Sequence, residues 1–312
     1  MMRLIGELVL RAFVVLTGVA LATFALLWHA PGDPALAIAL ARYDAAVSQE
    51  VVDFIRAEAG FDDGFWTAFW NWLAPLLQGD FGQSSVNGRD IWPDLVTAMS
   101  YTFPLALASL GIGLAVSVPL ALIATLRPGS WLDRGAVALA SVGVAIPAFW
   151  LGLLLILLFA VQLGWLPAMG AETATHSILP ASTLGFGVAA SLTRIIRSGI
   201  LEARGQPFLP AFTRRGVARR DIARNHVAPH AAVPVVTVLG LELAFLLEGL
   251  VVVEVIFARP GLGSFLVSAI FARDFPKVQA VVILAAVIFV VVNLVIDLVY
   301  RSLDPRVSGR DA

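Results

Sequence analysis

The chain has 312 residues, 59% of them hydrophobic and 14% charged, with a mean hydropathy of +0.88 and a formal net charge of -1. A soluble globular domain carries about 25% charged residues, so this is a membrane protein, and its near-zero net charge carries no nucleic-acid signal. There is no cysteine, hence no disulfide framework, thiolate metal site or cysteine nucleophile; the single lysine, Lys277, ends no glycine-rich loop, so the chain has no P-loop of its own.

A hydrocarbon core about 30 Å thick requires roughly 20 apolar residues per helix. Six stretches meet that length to within a few residues, at about 12–28, 103–126, 135–163, 178–193, 231–257 and 280–300. Arg3 and Arg11 before the first give it the look of a signal peptide, but Trp28-His29-Ala30-Pro31 interrupts any small-x-small cleavage site, so it reads as an uncleaved anchor. The segment that follows, 29–102, is long enough for short helices: Val51, Val52, Ile55 and Ala59 recur at helical spacing, and Trp66, Phe69, Trp70, Trp72 and Leu73 form an aromatic cluster suited to the membrane interface. This segment is acidic, with Asp33, Asp44, Glu50, Asp53, Glu58, Asp62, Asp63, Asp80, Asp90 and Asp94.

The third span is written straight through Ile146-Pro147. The fourth is short and carries Gly185 and Gly187, which let a neighbouring helix approach closely. After it, residues 194–230 hold eight arginines (Arg194, Arg197, Arg204, Arg214, Arg215, Arg219, Arg220 and Arg224) against two acids, Glu202 and Asp221, a pattern that reads as a docking surface for a soluble partner. These arginines fall on the same side as Arg3, Arg11, Arg127, Arg134, Arg301, Arg306 and Arg310, whereas the other side holds Arg42, Arg56, Arg89, Arg259, Arg273 and Lys277. The positive-inside rule then puts both termini in the cytoplasm.

The fifth span carries Glu242, Glu248 and Glu254. Successive steps of six residues turn through about 240°, so the three point in different directions and form no proton wire. A carboxylate inside a membrane is a functional candidate by default; Glu242 and Glu248 are candidates for facing a translocation path, the alternative being burial against a hydroxyl or arginine, or protonation. Asp297 lies at a depth similar to that of Arg194 and Arg197, which suggests an ion pair that fixes helix registration. His226 and His230 are four apart with Pro229 between them, which favours loop packing over a metal site.

Read in order, Ala30-Pro31-Gly32-Asp33-Pro34, Gly60-Phe61-Asp62-Asp63, Gly79-Asp80-Phe81-Gly82-Gln83-Ser84, Ile146-Pro147-Ala148-Phe149-Trp150-Leu151-Gly152, Leu163-Gly164-Trp165-Leu166-Pro167, Glu254-Val255-Ile256-Phe257-Ala258-Arg259-Pro260-Gly261-Leu262-Gly263, Arg273-Asp274-Phe275-Pro276 and Leu303-Asp304-Pro305-Arg306 make a set. The chain resembles, nearly end to end, the dipeptide/oligopeptide/nickel permease family of ATP-binding cassette (ABC) importers. The resemblance implies an all-α membrane protein with six transmembrane helices in the type I ABC importer permease fold. Its parts would be a cytoplasmic end and first helix (1–28), a large outer segment (29–102), a five-helix core (103–300) and a cytoplasmic tail (301–312).

The family's coupling loop matches Gly216 and Pro229, with His226 before the proline and Pro234 where the next span begins. Phe212, Arg214, Arg215, Arg219, Arg220 and Asp221 complete the candidate ATPase contact. Pro207 and Pro210 depart from the wider superfamily's pattern and break any helix there, so the coupling helix is expected to begin near Phe212 or to start with an extended segment. Glu254 resembles a family glutamate near the outer end. The resemblance further implies a homologous second permease, two cytoplasmic ATP-binding subunits that hold ATP and Mg2+, an external substrate-binding protein, and residence in a bacterial inner membrane. The chain itself would bind no cofactor or metal and have no catalytic residue. Peptides are the expected cargo, with nickel or a metal chelate as the alternative. An ion-coupled secondary transporter finds footing in the span-five glutamates but shows no matched halves, and a membrane hydrolase lacks a nucleophile with a base.

Overall fold

The computed structural model describes residues 2–29, 32–43, 47–58, 60 and 63–303. Ala30, Pro31, Asp44, Ala59, Phe61, Asp62, Asp304, Pro305, Arg306 and Arg310, and the side chains of Arg3, Glu58 and Arg301, lie outside that description. Among the described residues, five helices are long and apolar enough to cross a membrane, within Leu10–Trp28, Ile91–Leu126, Ala174–Arg204, Arg219–Ile256 and Phe275–Val299. The sixth crossing is a pair of helices, Trp131–Ala145 and Ala148–Gln162, that meet at 101°. The straight third span expected from the sequence is thus broken. Ile146 and Pro147 are both extended (ψ 123° and 134°), because a proline ring excludes the helical conformation from the residue before it.

The helices form two compact units, 1–101 with 260–291, and 102–259 with 292–312. The first contains α1 (Met2–Trp28), α2 (Pro34–Tyr43), α3 (Gln49–Glu58), α4 (Phe65–Leu77), the start of α5 (Ile91–Leu126), α12 (Leu262–Phe271) and most of α13 (Phe275–Leu303). Ala35, Ile38 and Ala39 of α2 bury against Val52 and Ile55 of α3, and Arg56 pairs with Asp33 at 2.5 Å. The aromatic cluster of α4 divides. Phe69 is buried, and both it and Trp72 stack around Phe24 of α1 at 5.4 and 5.5 Å, whereas Trp66 and Trp70 stay exposed. Ile91, Leu95 and Ala98 pack on Leu262, Ala280, Val281 and Leu284. The buried Asp274 accepts from the Ser84 hydroxyl at 2.5 Å and the Ser85 amide at 3.1 Å, pinning the 83–88 turn.

The second unit is organised on α8 (Ile178–Arg204), which meets the rest of α5, α6 (Trp131–Ala145), α7 (Ala148–Leu155, prolonged as a π-helix to Gln162) and α11 (Ala228–Ile256). Its polar C-terminal turns are helical, so the fourth span runs eleven residues beyond the expected end at Thr193, to Arg204. Gly185 does admit a neighbour: a Cβ there would lie 2.8 Å from Ile112 and 2.9 Å from the Ser109 carbonyl, whereas Gly187 faces open space. Burial is dense along α8, with Leu184, Val188, Leu192, Ile196 and Ile200 all inside.

Candidate docking segment and intramembrane carboxylates

Between α8 and α11 lie α9 (Leu209–Arg214), α10 (Arg219–Ile222) and a π-turn, Ala223–Val227, that runs directly into α11. The helix begins at Leu209, not near Phe212, because Pro210 occupies the first turn, where a missing N–H removes no intrahelical bond. Gly216 then reverses the chain at φ +75°, and the Val217 amide closes back onto the Phe212 carbonyl at 3.1 Å. Pro229 is likewise accommodated in the first turn of α11, while Pro234 lies inside that helix and does not mark its start.

Leu209, Ile222 and Val227 are buried, with Phe212 and Val217 packed against them. His226 stacks on Phe212 at 4.1 Å and 23°, and His230, exposed in the first turn of α11, lies 5.6 Å from Phe208. Arg214, Arg215, Arg219, Arg220, Asp221 and Arg224 are all exposed. One side of the segment is therefore an apolar anchor and the other a cationic face.

Arg197 does not pair with Asp297. Its guanidinium makes a two-point contact with Asp133 in the first turn of α6, Nε to Oδ1 at 2.5 Å and Nη2 to Oδ2 at 2.7 Å, and Asp133 is 2% exposed. Asp133 Oδ2 also accepts the Gly129 amide at 2.7 Å, and Ser130 caps the helix. Seven residues on, Arg204 Nη1 donates to the Thr125 carbonyl in the last turn of α5. Two arginines of α8 thus hold both flanks of the α5–α6 turn. Arg194 is exposed.

The three carboxylates of α11 have three environments. Glu254 is fully buried and accepts the Thr102 hydroxyl at 2.6 Å. Just beyond it Arg259, 4% exposed, donates to the His176 carbonyl at 3.2 Å, and the Gly170 amide donates to the Phe257 carbonyl at 2.9 Å, stapling the loop after α7 to the end of α11. Glu242 is 8% exposed, lies beside the Ser191 hydroxyl, and lines a cavity of about 140 Å³ at the α6–α7 bend. Glu248 is exposed, on the same face as Leu241, Phe245, Val252 and Val255. Burial against a hydroxyl, one of the alternatives read from the sequence, thus describes Glu254 and Glu242.

Residues 117–309 match the model for the binding-protein-dependent transport system inner membrane component, and residues 1–106 match its N-terminal companion. The chain belongs to that family. It is a multi-pass ABC importer permease of the peptide/oligopeptide type. The glutathione transport system permease GsiC of Escherichia coli K12 is 36% identical over 277 residues, 89% of each chain; that of Salmonella typhimurium LT2 is 36% identical over 289 residues, 93% of each. Among solved structures, the methionine ABC transporter MetNI in an inward-facing conformation aligns with a TM-score of 0.55 over 67% of this chain and 96% of that one, at 21% identity. An amino acid ABC transporter with histidines aligns at 0.53 over 67% and 94%, at 20% identity. These likenesses establish the fold.

In this permease the residues that sequence reasoning missed are the partners. Asp133 was signalled by Ser130-Trp131-Leu132-Asp133, a serine cap with an acid three residues on. Thr102 and Ser191 carry no local signal, since a hydroxyl facing across helices is unlike any other at the level of sequence only in three dimensions.

Proposed function

We propose that this permease is one half of the membrane path of an ATP-driven importer of small peptides, delivered by an external binding protein and paired with a homologous permease. The identity to glutathione permeases over 89–93% of both chains carries the choice of peptide over nickel. Both termini lie in the cytoplasm, as the distribution of arginines favours, and two ATPase subunits engage Phe212, Arg214, Arg215, Gly216, Arg219, Arg220, Asp221, His226 and Pro229. The support is geometric: a segment anchored by Leu209, Ile222 and Val227 keeps its shape under load, and its outer face offers unburied guanidiniums to an acidic cleft. Closure of the ATPases on ATP moves the segment as a rigid body and alternates access.

Reversing both Arg219 and Arg220 to glutamate is expected to weaken association of the ATPase subunits by at least tenfold, as two like-charge contacts replace two favourable ones. Co-purification and ATP-dependent peptide uptake in proteoliposomes report it. Uptake that persists without the ATPases and collapses with an ion gradient would instead establish a secondary transporter.

Glu248 extends the proposal to the path. A carboxylate facing lipid near mid-span costs about 2.5–3.5 kcal/mol, so its exposed face is covered by the second permease or by water, where it favours a peptide's ammonium group. Glu248→Gln is expected to lower the preference for free over N-acetylated amino termini about tenfold, roughly 1.4 kcal/mol. An unchanged preference in competition uptake assays removes Glu248 from the path. Glu242, on the cavity at the bend, is assigned the same role in its second rank.

A further inference from the structure

A cavity of about 600 Å³ lies within the first unit, enclosed by the end of α1, by α2, α3 and α4, by the 83–88 turn and by the start of α13. We infer that it is a site for one zwitterionic membrane phospholipid, holding an acyl chain and its ester group, with the headgroup ammonium at Asp63. Its volume falls in the range of about 300–1,000 Å³ typical of small-molecule sites.

The lining suits an amphiphile. Phe24, Leu27 and Trp28 from the last turns of α1, with Trp72 of α4, form an apolar wall. Gln279 of α13 also lines the cavity; it is 7% exposed, and its carboxamide has no hydrogen-bond partner among the described residues. A buried amide without a partner costs free energy, so whatever fills the cavity completes it. An ester carbonyl does so by accepting from the Gln279 N–H.

Position selects the lipid. α1 is a membrane span, and its last turn ends where hydrocarbon gives way to headgroups, the depth at which ester carbonyls stand. α4 packs on that turn through Phe69 on Phe24 and Phe65 on Trp28, contains no charged residue, and turns Trp66 and Trp70 outward, as a helix seated in the interfacial layer does. Asp63, exposed where it lines the cavity and paired with no cation among the described residues, favours an ammonium headgroup over an anionic one. Arg56 is held by Asp33 and Arg42 by the Ser85 carbonyl, so recognition does not depend on either guanidinium.

The assignment is independent of the cargo. Its test uses the permease–ATPase complex in nanodiscs of phosphatidylglycerol carrying a small fraction of phosphatidylethanolamine with a diazirine on its acyl chain. After irradiation, mass spectrometry of the digested chain is expected to find label on residues 24–28 and 68–72, and unlabelled phosphatidylethanolamine to compete it away. Ala68→Trp, which fills the cavity, should cut the competed label about tenfold, and Gln279→Leu, similar in shape but without the amide, about fivefold, as for one neutral hydrogen bond. Asp63→Asn should bring the label down to the share set by the probe's fraction in the bilayer. Trp66→Phe, on the outward face of α4, leaves it unchanged, and size-exclusion chromatography checks that each variant complex assembles.

Label that unlabelled phosphatidylethanolamine does not compete, or competed label unaltered in both Ala68→Trp and Gln279→Leu, would reduce the contact to annular lipid and overturn the assignment. A diazirine-bearing tripeptide, added in solution, that labels residues 24–28 and 68–72 in place of the lipid would overturn it as well, and make the cavity a peptide site.

Discussion

A chain with leucine in place of Arg197 is expected to lose about 1–3 kcal/mol of stability, less than the cost of breaking a fully buried ion pair, because the Arg197 side chain is 25% exposed while Asp133 is nearly buried. Asp133 is 2% exposed and receives both guanidinium contacts, at 2.5 and 2.7 Å. Once Arg197 is gone, that carboxylate keeps only the Gly129 amide and its position at the start of α6, and must either stay charged without its counterion or take up a proton. Thermal unfolding of the purified complex in detergent reports the loss. The control is the double replacement of Arg197 and Asp133 by leucine and asparagine, which removes the stranded charge and should recover most of the stability, since a buried pair exchanged as a whole is often neutral. A single variant as stable as the wild type would mean that the contact contributes nothing to holding α8 against the α5–α6 turn.

The second large effect is expected from Ile222→Asp, and it is local. Ile222 is 8% exposed and packs with Leu209 and Val227 under the cationic face. A carboxylate placed there has no cation to meet on the inner side and costs several kcal/mol to bury, so α9 and α10 should detach while the spans, whose apolar packing is untouched, remain folded. Peptide-stimulated ATP hydrolysis and uptake are expected to fall by about a hundredfold or more, with the amount of inserted protein nearly unchanged. Ile222→Val, which shortens the side chain by one methylene, should cost only about 0.5–1.5 kcal/mol and leave most transport. Wild-type uptake by the aspartate variant would show that the segment need not be rigid to transmit motion, and with it the proposed coupling would fall.

The spans were legible because a 20-residue apolar run has few other uses; five of the six were single helices as read. What periodicity could not deliver was continuity. Residues 135–163 are apolar throughout, so composition carries no mark of the 101° bend, although Pro147 and the conformational restriction it places on Ile146 were in plain view. In the opposite direction, Pro207 does lie in the non-helical stretch between α8 and α9, but Pro210 looked disruptive and was not, and Pro234 looked like the start of the fifth span and lies inside its helix. Pro210 sits where a helix has no bond to lose, and Pro234 lies within a long helix whose packing on α8 outweighs one missing bond. For the charges, matching by depth linked Arg197 to Asp297, because depth is a one-dimensional coordinate. Which helix faces which is decided by packing, and α6 rather than α13 brings the acid to Arg197. The basic, outward-facing character of the docking segment was readable from residue types alone, but the apolar anchor beneath it was not, since Leu209, Ile222 and Val227 follow no single period across a turn at Gly216.

The broken crossing also sets how the subunit is rotated in the bilayer. Where α6 stops and α7 starts, the first amides of α7 have no carbonyl one turn back, and hydrocarbon offers them nothing. The bend therefore cannot look out at acyl chains. Gly143, Ile146, Ala148 and Leu151 from this break share a hollow with Glu242, so the peptide groups that lipid would leave unsolvated and the carboxylate that lipid would reject lie on the same azimuth. That azimuth must be a wet or protein-covered side of the subunit.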